Sequence, residues 1–254
     1  MIDIDEARIA EFTEKRLSDG YERSSVNRSL AYLRFGFRLM FKQHLISRMP
    51  TIELLDGENV RQGFVEVGDM DSVLEKVRNP DVRDLVEYLY LSGWRSGEGM
   101  NFRWSWIDDH AGMIRLPAEF AKNKKARVMP MTSMIREVLD RRRAKRRLDC
   151  AYVFHRDGKP IRYFRDSFKA AAHRAGLDGT LPHDMRRSAV RNFRRAGLSE
   201  SEGMALSGHR TRSVYDRYNI ISESDLYDRM NRVEEHLKAE KHHHKVTPIS
   251  KRKA

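Results

Sequence analysis

Residues 207–218 read SGHRTRSVYDRY. Gly208 ends a short helix that Ser199 and Glu202 open with capping-box spacing, because glycine takes the left-handed conformation of a helix stop at little steric cost. His209 therefore stands just past a helix end. Thr211 can cap the next helix, which carries Tyr215 and Tyr218 on roughly one face. Three upstream segments gather similar groups: SGWRSGE (92–98), KNKKARVMP (122–130) and PHDMRRS (182–188). In the first, Arg95 follows the helix stop at Gly93 and Glu98 lies three residues on. The third places His183 and Arg186 in an H-x-x-R step at the start of a helix.

Working outward from these segments, the periodicity predicts a mainly α protein with a small antiparallel β-sheet. A first helix covers Asp5 to Leu17. A long amphipathic helix starts at Ser24 or Ser25 and carries the stripe Val26, Leu30, Leu33, Phe37 and Met40. The segment MPTIELLDGENVRQGF breaks the period with proline and glycine, so the domain boundary falls near 50–68. Asp71 opens a short helix, and Asn79-Pro80 caps another that runs to Gly93. WSWID, MIRLP and ARVMPM read as three short strands, with Lys122, Lys124 and Lys125 in the last connection. Helical patterns return at 132–147, 163–175 and 183–196. A final stripe, Leu226, Met230, Val233 and Leu237, precedes a basic tail from Lys241.

The chain has 254 residues, 49 Lys plus Arg against 37 Asp plus Glu, and a formal charge of +12, which points to a polyanionic partner. The excess lies beyond residue 60. Even so, residues 23–52 hold Arg23, Arg28, Arg34, Arg38, Lys42 and Arg48 with no acid among them, so one face there can lie on phosphates. The plainer reading is a solvated basic surface. No apolar run reaches the roughly 20 residues of a bilayer span, and the acidic opening is not a leader, so the expected place is the cytoplasm with no membrane partner. The single cysteine, Cys150, excludes an internal disulfide and a cysteine-rich metal site.

Taken in this order, the four segments resemble the tyrosine recombinases, or phage-type integrases, over roughly residues 20–236. The matching residues are Arg95 with Glu98, then Lys122, Lys125, Arg127 and Pro130, then His183 and Arg186, then Gly208-His209 with Tyr218 nine residues later. The resemblance implies a partial helical core-binding domain (1–55), a linker (56–68), a catalytic domain (69–240) and a basic tail (241–254). It further implies duplex DNA as substrate, a homo-tetramer on paired sites, accessory DNA-bending proteins, a bacterial nucleoid setting and no cofactor.

The chemistry explains the set. Attack of a side-chain hydroxyl on a DNA phosphodiester builds negative charge on the non-bridging oxygens of a five-coordinate phosphorus. Two guanidiniums, Arg95 and Arg186, offer planar forks of donors to those oxygens, and His209 adds a third donor. A tyrosine hydroxyl with a pKa of about 10 needs help to lose its proton, and His183 is the expected base. By resemblance Lys122 protonates the departing 5′ oxygen and Tyr218, rather than Tyr215, is the nucleophile, with Tyr215 a packing residue. Glu98 is read as orienting a neighbour. Arg28, Arg34, Lys125, Arg127, Arg187 and Arg191 are expected on DNA phosphates. The run Arg141–Arg147 either tracks phosphates or is an exposed helix end. The chain departs from the family pattern in having Arg187 where histidine is common, Trp94 where a small residue is common, and few residues before the linker. A non-recombining DNA-binding remnant and a type IB topoisomerase-like enzyme are the alternatives.

Overall fold

The computed structural model describes residues 4–57, 63–216 and 223–243, and the chain divides into two compact units, Met1–Arg61 and Gln62–Ala254. In the first unit α1 (Glu6–Ser18) begins where Asp5 accepts a hydrogen bond from the Arg8 N–H at 2.9 Å. Helix α2 (Arg23–Lys42) starts one residue before Ser24, and no side chain caps it; neither serine is the cap that the sequence suggests. The apolar stripe nevertheless turns inward. Val26, Leu30 and Phe37 form a small core with Ile9 and Ile52. The extended stretch after α2 is tied to that helix: Asn27 exchanges two hydrogen bonds with the Leu55 backbone (2.9 and 2.7 Å), and Arg23 donates to the Asp56 carbonyl at 2.9 Å.

In the second unit α3 (Val67–Lys76) starts four residues before Asp71, the helix start that the sequence suggests, and α4 (Pro80–Ser92) is the central helix. Asn79 caps α4 by accepting from the Asp81 and Val82 N–H groups, both at 3.0 Å. Val82, Leu85, Val86, Tyr88 and Leu89 bury its faces, and Gly93, at φ 64°, ends it in the left-handed region. Short α5 (Ser96–Met100) follows at once. WSWID is only partly a strand: Trp104–Trp106 form a 3₁₀ turn that buries two indoles, and only Ile107–Asp108 (β1) pair. With β2 (Met113–Leu116) and β3 (Arg127–Pro130) they make an antiparallel sheet in the order β1-β2-β3. Ile114 pairs with Met129 and both face the core, whereas Arg115 and Val128 face out, as the two-residue period requires.

After α6 (Ser133–Arg143) comes a hairpin not anticipated from the sequence, β4 (His155–Arg156) with β5 (Lys159–Pro160), too short for a legible alternation. Helices α7 (Arg165–Arg174), α8 (Pro182–Arg195), α9 (Glu200–Ser207), α10 (Arg212–Asp216) and α11 (Glu223–His243) complete the unit. Tyr88, Trp94, Phe102, Trp106 and Phe154 form the aromatic centre, with Tyr88 and Trp94 edge to face at 5.6 Å. Residues 64–66, placed by the sequence in a linker, dock here: the Val65 N–H donates to Ser188 Oγ at 2.7 Å. No helix among the described residues is long and apolar enough to cross a membrane.

Part of the basic run at and after the end of α6 ties that helix to α4. Arg142 is fully buried, donating to Asp81, to the Val153 carbonyl at 3.1 Å and to the His155 carbonyl at 2.9 Å. Arg141 bonds Asp84 at 2.8 Å, Lys145 bonds Asp81 at 3.1 Å and Arg147 bonds Asp149 at 2.8 Å. Removing a buried guanidinium strands its carboxylates. Arg142→Ala should therefore cost about 3–5 kcal/mol in urea unfolding, against less than about 0.5 kcal/mol for Arg156→Ala at an exposed position.

Candidate active site

The site forms where three helix ends meet. The stop at Gly93 delivers Arg95 to the N-terminus of α5, and Glu98, one turn on, reaches back to the Arg95 N–H at 3.0 Å. Glu98 is buried. Its carboxylate also takes Arg95 Nη1 at 3.2 Å, Arg127 Nη2 and the Lys122 backbone N–H at 3.3 Å. Burial disfavours the charged form of Glu98, but Arg127 and Arg95 outweigh it and hold its pKa below the usual carboxylate range. The acid thus fixes two arginines and the backbone of Lys122 in the loop between β2 and β3.

The second helix end is the start of α8, with Pro182 in its first turn and Asp184 accepting from the Leu181 N–H at 2.8 Å. His183 stands exposed there, and one turn on Arg186 is buried, donating from Nη1 to the Gly93 carbonyl at 2.8 Å and the Ser207 carbonyl at 2.6 Å. The third is the C-terminus of α9. Gly208 (φ 72°) turns the chain, and a Cβ there would lie 2.5 Å from Arg127 Nη1, so glycine is needed both for the turn and for the close approach. The Ser207 carbonyl also accepts from Arg127 at 2.5 Å, and the Gly208 carbonyl from Asn123 Nδ2 at 3.0 Å and Arg95 Nη2 at 3.4 Å.

His209 is buried next to them, with Ser207 Oγ 2.7 Å from Nδ1 and Arg186 Nη2 2.8 Å from Nε2. Burial, then Arg186 and Arg95, lower its pKa to about 3, so the ring is neutral at physiological pH. Although His183 keeps an exposed edge, loss of hydration by the protein around it and then Arg186 also lower its pKa, which keeps it able to take a proton. Arg95, His183, Arg186 and His209 are therefore brought together. Lys122 and Lys125 are exposed on the β2–β3 loop beside them. Tyr218 lies outside the described residues. Tyr215 is buried, its ring 5.5 Å from His209 and its hydroxyl packed so closely that a Cβ at Gly203 would come within 2.0 Å of it.

Several expected phosphate contacts are instead inside the protein. Arg127 is buried between Glu98 and α9, and Arg187 is buried in α8. Arg191 is buried, pairs with Glu66 at 2.6 Å and lies over the Phe64 ring at 3.5 Å. In the first unit Arg28 is exposed, while Arg34 turns back to the Ile52 carbonyl. For Arg127, Arg191 and Arg34 the cause is acceptors brought close by folding, which charge patterning cannot reveal. Sequence reasoning missed Ser207 and Asn123, uncharged residues next to recognised ones. Among the described residues no group of three or more His, Cys, Asp or Glu could hold a metal ion.

Comparison with known proteins identifies the family and the fold. The model of the phage integrase family matches residues 69–244. The chain belongs to the phage integrase family. A curated relative, the shufflon-specific DNA recombinase of Escherichia coli, is 28% identical over 142 residues, covering 54% of this integrase and 34% of that protein. The chain thus spans about a third of that relative's length. Among solved structures, a lambda integrase dimer bound to a COC′ core site aligns with TM-score 0.73 at 18% identity, covering 86% of this chain and 80% of that one. The Tn1549 transposon integrase in complex with circular intermediate DNA gives 0.71 at 14% identity over 90% of this chain and 85% of that one. XerH bound to a palindromic difH substrate gives 0.71 at 18% identity over 91% and 73%. At these identities the likeness is one of fold.

The depressed histidines set a pH dependence. Because the folded pKa of His209 lies below the unfolded value of about 6.5, the unfolded chain takes up a proton that the folded one resists. Stability is then fully present above about pH 6.5 and is lost as pH falls below it. The urea midpoint should drop between about pH 7 and about pH 5, and His209→Asn should flatten that drop; an unchanged slope in the variant would contradict the buried neutral ring.

Proposed function

We propose that this integrase is a site-specific DNA recombinase that cleaves and rejoins duplex DNA through a 3′-phosphotyrosyl intermediate, without metal or ATP. The observation that carries the reading is the convergence of Arg95, Arg186, His183 and His209 from three helix ends beside the loop bearing Lys122. In this reading Arg95 and Arg186 grip the non-bridging oxygens of the scissile phosphate, where charge accumulates in the transition state. Neutral His183 takes the proton from Tyr218 as its oxygen bonds to phosphorus. The bond from phosphorus to the 5′ oxygen breaks, and Lys122 supplies the proton that makes a 5′ hydroxyl. Rejoining reverses these steps with another 5′ hydroxyl. Lys125 and Arg28, both exposed, are the expected phosphate contacts.

Recombination also needs more than one copy on paired sites. Leu226, Met230, Val233 and Leu237 of α11 are all at least 48% exposed, an apolar stripe suited to a neighbouring protomer. A lambda integrase tetramer bound to a Holliday junction shares the fold, with TM-score 0.73 at 18% identity, which supports a homo-tetramer here.

Nicked duplexes from the DNA flanking the gene, incubated without metal, should yield an SDS-resistant protein–DNA adduct. Tyr218→Phe should abolish it. Tyr215→Phe should retain it and lose no stability, because that hydroxyl is buried without a hydrogen-bond partner among the described residues. Salt-sensitive binding with no adduct in wild type would mark a binder instead.

A further inference from the structure

Ser207 stands between the C-terminal end of α9 and His209, is fully buried, and belongs to none of the recognised site positions. Its Oγ lies 2.6 Å from the Gly203 carbonyl oxygen and 2.7 Å from His209 Nδ1. A hydroxyl has one proton to give. If that proton went to Nδ1, the lone pairs of Ser207 Oγ and the Gly203 oxygen would face each other at hydrogen-bonding distance. If it goes to Gly203, Oγ accepts from an Nδ1–H and both contacts are hydrogen bonds. The second arrangement satisfies every atom, which a buried site strongly favours.

The neutral ring then carries a lone pair on Nε2. That is where the nearest cation stands: Arg186 Nη2 is 2.8 Å from Nε2 and 3.4 Å from Nδ1. A lone pair suits a guanidinium there, and an N–H would oppose it. Arg186 is further fixed by the Gly93 and Ser207 carbonyls, so Ser207 acts on it twice, by its own backbone oxygen and through the imidazole.

We propose that Ser207 is a positioning residue that holds His209 as the Nδ1–H tautomer, so that His209 faces Arg186 as an acceptor and acts on the scissile phosphate through that arginine. The inference concerns the same site as the recombinase reading and rests on it for the reaction, but not for the tautomer. It also changes the expected part of His209: before DNA arrives, its Nε2 has no proton to offer a phosphate.

The test is a long-range ¹⁵N–¹H correlation spectrum of the full chain labelled with ¹⁵N-histidine at neutral pH, with His209 identified by its absence in His209→Asn. An unprotonated Nε2 is expected in wild type and a larger share of Nε2–H in Ser207→Ala, since Arg186 alone then favours the proton on Nδ1. Ser207→Thr keeps a hydroxyl and should keep the wild-type tautomer. Nε2–H in wild type, or an unmoved tautomer in Ser207→Ala, would overturn the proposal; the wild-type spectrum decides even if the alanine variant fails to fold. In the adduct assay Ser207→Ala should slow covalent capture about tenfold or more with duplex affinity unchanged. A moved tautomer with an unslowed capture rate would overturn the role in the reaction. Absence of any adduct in wild type would sink the recombinase reading alone and leave the tautomer result standing.

Discussion

Three guanidiniums share one small site, and the structure depends on what keeps them there. In a medium of low dielectric Arg95, Arg127 and Arg186 would repel one another strongly. They are held by the Glu98 carboxylate and by the Ser207 and Gly208 carbonyls at the end of α9. Those carbonyls are the ones a helix leaves without internal partners, and they carry its negative dipole end. The helix stop is thus the acceptor set of the site. Gly208 makes the arrangement possible, because any Cβ would collide with Arg127.

The same concentration of positive charge sets the state of the histidines. With burial, the arginines make protonation of His209 unfavourable, and to a lesser degree that of His183. The site therefore keeps its imidazoles neutral, able to accept and relay protons rather than add further charge. Elsewhere the arginines have a different part. Arg142 joins α6 to α4 and to the backbone of Val153 and His155, and Arg191 joins α8 to Glu66. The position of a basic residue in the sequence is thus a poor guide to the outward-facing surface, since several arginines are paired with acids inside the fold.

Much of the site was legible because its parts lie at helix ends, and helix ends have local signals. Gly93, Pro182 and Gly208 mark them, and the groups that follow, Arg95, His183 and His209, fall into place. Glu98 as an orienting acid was legible from its spacing to Arg95. The hairpin at β4 and β5 was not, because two-residue strands carry no period, and the indoles of WSW settle a 3₁₀ turn by their burial. Ser207 could not be found from sequence either; its meaning is a pair of distances.

The sequence by itself determined the helical class with its small sheet, the order of the chemical groups and their positions at helix boundaries, since capping, period and glycine geometry are local properties. Tertiary structure alone decided which cations face outward and which are enclosed, because that depends on acceptors far away in the chain: Glu66 for Arg191, Glu98 and Ser207 for Arg127, Asp81 for Arg142. It also decided the proton state of His209, which no spacing encodes, because burial and the field of neighbouring guanidiniums exist only once the helix ends have met.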